Sequence, residues 1–191
     1  MKIVSVILAR GGSKGIPFKN IKKLCDKPLI SYVIQASKNS NVDETWVSTD
    51  SMKIATVAGA FGAKIILRPD NISTDTSQSE EALIHFAEKK DFDIMVFIQP
   101  TSPLRSEVDI NNAITHLDTT NADICISICR SSRSPYFNMV KLDDESRNSV
   151  SLLIKNQNTI SRRQDAPKTF DMTTVAYVST PEFILNSSTI W

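Results

Sequence analysis

The chain has 191 residues with 22 Lys and Arg against 21 Asp and Glu, a net charge of +1. That length fits one domain with a sizeable core. The near-balance of charge gives no global basic field for nucleic acid or a membrane surface. No apolar run approaches a membrane span and no signal peptide opens the chain. Three cysteines, Cys25, Cys125 and Cys129, form a sparse, odd set that fits a reducing compartment. Cys125 and Cys129 are expected as buried apolar thiols rather than zinc ligands.

Ile3 to Leu8 is a run of apolar residues, and Lys2 to Leu8 reads as a first strand. Leu8 to Asn20, L-A-R-G-G-S-K-G-I-P-F-K-N, follows it as a basic glycine loop. The amides of Gly11, Gly12 and Gly15 are able to approach an anion closely, and Arg10 and Lys19 add full charge. A loop of this kind at the carboxyl end of a first strand is where open α/β sheets bind nucleotide phosphates. It is neither a Walker A loop, lacking G-K-[ST], nor G-x-G-x-x-G, because Gly11 and Gly12 are adjacent.

Pro28 to Lys38 spaces Leu29, Tyr32, Val33 and Ala36 at helical intervals. Thr45 to Ser48 is a short second strand. Asp50 stands where a helix N-cap belongs, before Met52, Ile54, Ala55 and Val57, with Gly62 closing that helix. Lys64 to Leu67 is a third strand. The hydroxyl-rich loop from Arg68 to Ser79 opens a helix from about Glu80 to Lys89, which Ser77 is placed to cap. Ile94 to Ile98 is nearly all apolar and reads as a central strand covered on both faces. Q-P-T-S-P-L-R follows at once, with Arg105 expected to order its own loop. Glu107 to Leu117 is a helix and Ile124 to Cys129 a strand. His85 and His116 fall in helices without partner motifs and receive no catalytic role.

This alternation predicts a parallel sheet of βαβ units. Loops at the carboxyl ends of strands one, three and four then gather Arg10, Lys19, Arg68, Ser79 and Gln99 around one crevice. From 131 to 172 the rhythm breaks into a polar excursion, with a candidate strand at Ser149 to Ile154 and a basic knot, S-R-R-Q-D, at Ser161 to Asp165. A segment of that length forms a lid, an arm or an oligomer contact rather than a free loop. Strand Thr173 to Ser179 and a short helix from Pro181 restore the pattern.

Four pieces, L-A-R-G-G-S-K-G-I-P-x-K-N, R-P-x-x-x-S-x-D-T-S-x-S, Q-P-T-S-P-L-R and R-R-Q-D, stand in an order and spacing that resemble the acylneuraminate cytidylyltransferases, the CMP-sialic acid synthetase family. The resemblance runs from Lys2 to about Tyr177. It implies a Rossmann-like, three-layer α/β/α fold of the nucleotide-diphospho-sugar transferase type, one domain over 1–191 with a mostly parallel sheet. The excursion at about 131–172 becomes a small dimerisation and sugar-site arm. The implied reaction joins CTP to a nonulosonic acid, giving the CMP-sugar and pyrophosphate, with Mg2+ as cofactor. The implied setting is a cytoplasmic homodimer with no nucleic-acid or membrane partner.

By the same resemblance, Arg10, Lys19 and Arg163 are the catalytic candidates. Arg10, Gly11, Gly12, Ser13, Lys19, Asn20, Arg68, Ser77 and Ser79 are the nucleotide-binding candidates, Arg68 and the serines serving cytosine and ribose. Gln99, Arg163 and Tyr177 are the sugar-site candidates, a guanidinium fork suiting a sugar carboxylate. Arg162 or Arg163 would act across the dimer interface. The family pattern continues to an acidic D-I-D-x-x-x-D segment that supplies metal ligands. The sequence to Trp191 contains none, so no metal ligand is assigned. Two further readings stay open: a nucleotide-binding remnant without turnover, and a transferase for another sugar acid, such as an eight-carbon one. The latter would carry an acid where Gln99 stands.

Overall fold

A computed structural model describes residues 1–74, 76–120, 122–144, 146, 148–155 and 162–187. The chain divides into two compact units, Met1–Ser127 with the chain from Thr174, and Ile128–Thr173.

In the first unit the elements are β1 (Ile3–Leu8), the two-residue strands β2 (Lys23–Leu24) and β3 (Lys27–Pro28), α1 (Leu29–Lys38), β4 (Glu44–Thr49), α2 (Met52–Ala60), β5 (Lys64–Leu67), α3 (Ser79–Ala87), β6 (Ile94–Ile98) and α4 (Glu107–Thr119). β7 (Ile124–Arg130) leads into the second unit, which carries β8 (Val140–Asp144) and β9 (Ser149–Leu152). β10 (Phe170–Ser179) leads back, and α5 (Pro181–Asn186) follows.

Among the described residues, the main sheet runs β5-β4-β1-β6-β10-β7. β1 is parallel to β4 and β6, and β4 is parallel to β5. β10 is antiparallel to β6, pairing Tyr177 with Phe97. The sheet is therefore mostly parallel, as expected, with one reversed strand that nothing in the sequence had marked. The carboxyl ends of β1, β4, β5 and β6 share one edge.

Side-chain alternation sorts the core onto two faces. Ile7, Val96 and Ile98 pack with Ile30 and Ile34 of α1, Ile54 of α2 and Ile110 of α4. Val4, Val6, Met95 and Phe97 pack with Leu83 and Phe86 of α3 and Ile184 of α5. The result is a three-layer α/β/α unit. One polar line crosses the first face: Ser37 Oγ lies 2.5 Å from Ser5 Oγ and 2.7 Å from Thr45 Oγ1, bonding α1 to β1 and β4. At α4, Ser106 and Asp109 close a reciprocal capping box. Among the described residues no helix is long and apolar enough to cross a membrane.

Several expectations need correction. Ser51, not Asp50, is the N-cap residue of α2, and no side chain caps that helix. Ser77 does not cap α3, whose N-cap position is Gln78. Cys129 is exposed and Cys125 only half-buried, because β7 is incompletely covered; burial still pushes the Cys125 thiol up. β8 was not read, and the candidate strand from Ser149 ends at Leu152 rather than Ile154. β8 and β9 form an antiparallel hairpin pairing Val140 with Leu152 and Leu142 with Val150. Ser161, at the head of the basic knot, lies outside the described residues.

Candidate functional site

A cleft of about 690 Å³ opens at the carboxyl edge of the parallel strands. Three loops line it. The glycine loop after β1 contributes Arg10, Ser13, Lys14, Gly15, Lys19 and Asn20. The segment after β5 contributes Arg68, Thr74, Ser77, Gln78 and Ser79. The turn after β6 contributes Gln99, Pro100 and Thr101, and Phe97 forms part of the wall. Arg10, Lys19, Arg68, Ser79 and Gln99 thus meet around one crevice, the grouping read from the strand order. Lys14 belongs with them, a cation of the same loop that a count of its charges would have found.

Hydrogen bonds set the loops. Arg10 donates from Nη1 to the Thr74 carbonyl at 2.7 Å, tying the first loop to the second. Asn20 is buried and its Nδ2 donates to the Arg10 carbonyl at 3.1 Å, so this amide nitrogen shapes the loop as well as facing the cleft. Thr74 N–H donates to Ser77 Oγ at 3.0 Å, and Ser77 N–H donates back to Thr74 Oγ1 at 3.1 Å. This closed turn explains why Ser77 does not cap α3. Phe18 precedes Lys19 in the left-handed region, φ 51, which a bulky residue adopts only when its surroundings impose it. Lys53 Nζ lies 5.1 Å from its ring centroid.

Gly11 and Gly12 do not line the cleft. The Gly11 N–H donates to Asp50 Oδ1 at 2.8 Å. Gly11 is needed for close approach: a Cβ there would stand 3.1 Å from Ser51 Cβ. A Cβ on Gly12 would meet nothing within 4 Å, so that position has no comparable constraint.

Arg68 holds the cleft's most unusual charge. Its Nε and Nη2 are buried and have no hydrogen-bond partner among the described residues. Burial pushes its guanidinium down from the ordinary value, Asp50 opposes that, and Arg10 adds to it. An unsatisfied buried donor is costly unless something supplies an acceptor.

Of the sugar-site candidates in the first unit, Gln99 lines the cleft and Tyr177 does not. Tyr177 is 4% exposed and stacked on Phe97 with ring centroids 5.5 Å apart. It pairs in register with Phe97 and shares that residue's core cluster. Burial also pushes its phenol up. Arg105 orders its loop, as expected: it is buried and donates to the Gln99, Thr174 and Val175 carbonyls. Burial lowers it to about 10. Within the second unit, Arg162 forms a two-bond pair with Asp165, and Arg163 donates to the Ser132 carbonyl at 2.8 Å. His85 is buried away from the cleft lining and His116 is exposed.

The family profile described as Cytidylyltransferase matches residues 4–187. The chain belongs to the cytidylyltransferase family. It is 37% identical over 164 residues to N-acylneuraminate cytidylyltransferase B of Danio rerio, spanning 85% of this chain and 38% of that relative. It is 31% identical over 199 residues to post-translational flagellin modification protein B of Campylobacter coli, covering 100% of this chain and 82% of the relative. In fold it is similar to CMP:2-keto-3-deoxy-manno-octonic acid synthetase solved in complex with CTP, with a TM-score of 0.75 at 22% identity, over 97% of this chain and 77% of that one. The chain therefore spans well under half the length of the Danio relative. Cytidylyltransferase membership accords with the cleft's position, at the end of the strands where this fold binds nucleotides.

Proposed function

We propose that the chain transfers the cytidylyl group of CTP to the anomeric hydroxyl of a nonulosonic acid, releasing pyrophosphate. One observation carries the reading. Arg10, Lys14, Lys19 and Arg68 line a single cleft together with hydroxyl and amide groups, and its described lining includes no Asp or Glu. Such a site suits a polyanion with a polar head. The names of the Danio relative and of the solved neighbour, one a cytidylyltransferase of an acylneuraminate and the other holding CTP, support cytidine as the base.

In this reading Arg10, Lys14 and Lys19 hold the triphosphate and meet the charge that grows on its oxygens as the α-phosphorus is attacked. The hydroxyl oxygen bonds to that phosphorus, the bond to the pyrophosphate breaks, and the hydroxyl proton is lost. Ser13 donates to a phosphate oxygen. Arg68, Ser77 and Ser79 read base and ribose. Gln99 orients the sugar, holding reactants in line. Arg163, reaching over from the arm of a second copy of the chain, takes the sugar carboxylate.

A hard divalent cation prefers carboxylate oxygens. The described lining offers none, and among the described residues no group of three or more His, Cys, Asp or Glu is placed to hold a metal. These residues do not fit a protein-held magnesium. That observation favours a second reading, CTP binding without turnover.

Purified protein given CTP, Mg2+ and a panel of nonulosonic acids decides between them. Pyrophosphate release with at least one acid supports the transferase. CTP binding without release from any acid supports the second reading, and no CTP binding removes both.

We further infer a homodimer formed through the arm at about 131–172. Val140, Leu142 and Val150 are each more than half exposed, and they stand in cross-strand pairs on the β8–β9 hairpin. Apolar pairs displayed in this way suit an interface. Light scattering should give twice the chain mass, with Leu142→Lys shifting it towards the monomer. A monomer at all working concentrations contradicts the inference. The three free thiols fit a cytoplasmic setting.

A further inference from the structure

Asp50 immediately follows β4, the strand between β1 and β5. The ladder continues past its neighbours on both sides: Ala9 N–H donates to the Ser48 carbonyl at 3.0 Å, and Arg68 N–H to the Thr49 carbonyl at 2.8 Å. Two of the loops that line the cleft therefore leave the sheet on either side of Asp50. On the β1 side its Oδ1 accepts the Gly11 N–H. On the β5 side it is the acid acting on Arg68, whose buried Nε and Nη2 lack partners. The helix that follows makes no use of the carboxylate, since its N-cap is Ser51 with no side-chain bond.

We propose that Asp50 is a positioning residue of the nucleotide site: it pins the start of the glycine loop through Gly11 N–H, and its charge balances Arg68 without consuming the guanidinium's hydrogen bonds. This rests on the reading of the cleft as a CTP site. The two duties separate chemically. An amide at position 50 retains an oxygen that accepts from Gly11 but carries no charge. A methyl group there removes both. The carboxylate leaves the donors of Arg68 for an incoming ligand, while its field lowers the cost of keeping that cation half-buried.

The test compares wild type, Asp50→Asn and Asp50→Ala by CTP titration calorimetry, thermal melting and amide exchange in protein labelled with 15N-glycine. The chain has five glycines, so the Gly11 amide is readily resolved. Asp50→Asn should leave Gly11 exchange near wild type yet weaken CTP binding about tenfold, as loss of one charged support predicts. Asp50→Ala should speed Gly11 exchange and weaken binding further. On an Arg68→Met background, Asp50→Asn should cost no additional affinity. A merely structural aspartate would lower the melting temperature and leave CTP affinity unchanged. Folded Asp50→Asn that binds CTP like wild type therefore overturns the proposal, even where Asp50→Ala fails to fold. Wild type that binds no CTP overturns the nucleotide reading itself, a result distinct from equal binding by wild type and variant.

Discussion

Arg68 is the residue whose environment says most about ligand binding. Its buried donors lack partners, so its presence opposes folding unless a ligand supplies acceptors. Arg68→Met should leave the melting temperature unchanged or raise it, while weakening CTP affinity about tenfold or more. Paired melting and calorimetry check this; a variant that melts lower yet binds CTP normally would make Arg68 structural. His85 carries a second imbalance. Burial lowers its imidazole below the ordinary 6.5, with Lys89 and Arg68 lowering it further and Glu88 opposing. The unfolded chain therefore takes up this proton at a higher pH than the folded one. Stability should fall as pH drops below about 6.5. Urea unfolding at pH 5, 6 and 7 should show that slope, and His85→Leu should flatten it. At this scale the sequence identified Arg10, Arg68 and Gln99 as cleft residues because each stands just past a strand end, and Lys19 because it closes the basic loop after the first strand. It misassigned Asp50 because an aspartate before a helix looks the same whether it caps the helix or reaches back to a loop. It did not reveal the burial of Tyr177, because Ala176, Tyr177, Val178 and Ser179 are all buried, and a strand covered on both faces has no alternation to read.

Among elements, α4 was legible from Glu107 to Leu117 but runs on to Thr119, and a Ser106–Asp109 box opens it. Ser106→Ala removes the acceptor for the Asp109 N–H. It should cost about 1 kcal/mol in chemical denaturation without altering CTP affinity. Loss of affinity would mean that α4 reaches the cleft through the Gln99–Arg105 turn. Strands β1, β4, β5 and β6 were equally clear, since each is a short β-rich run followed by a turn signal. The reversed direction of β10 was not, because hydrophobic pattern reports burial and carries no sense of direction. The β2–β3 pair escaped because two residues give no period. β8 escaped because V-K-L-D-D sits inside a polar excursion, its apolar side chains exposed rather than committed to a core.

For the whole molecule, a net charge of +1 conceals an uneven distribution. The fold draws Arg10, Lys14, Lys19 and Arg68 from two stretches of chain to one edge of the sheet. The attraction for a polyanion is local and calls for no basic surface, so binding should depend on the cleft residues far more than on total charge. The measurement that bears most directly on this is CTP titration of wild type beside Arg10→Gln/Lys19→Gln, with matched melting curves for both. The account predicts a loss of about a hundredfold in affinity at unchanged fold. Undiminished affinity in the folded double variant would contradict it.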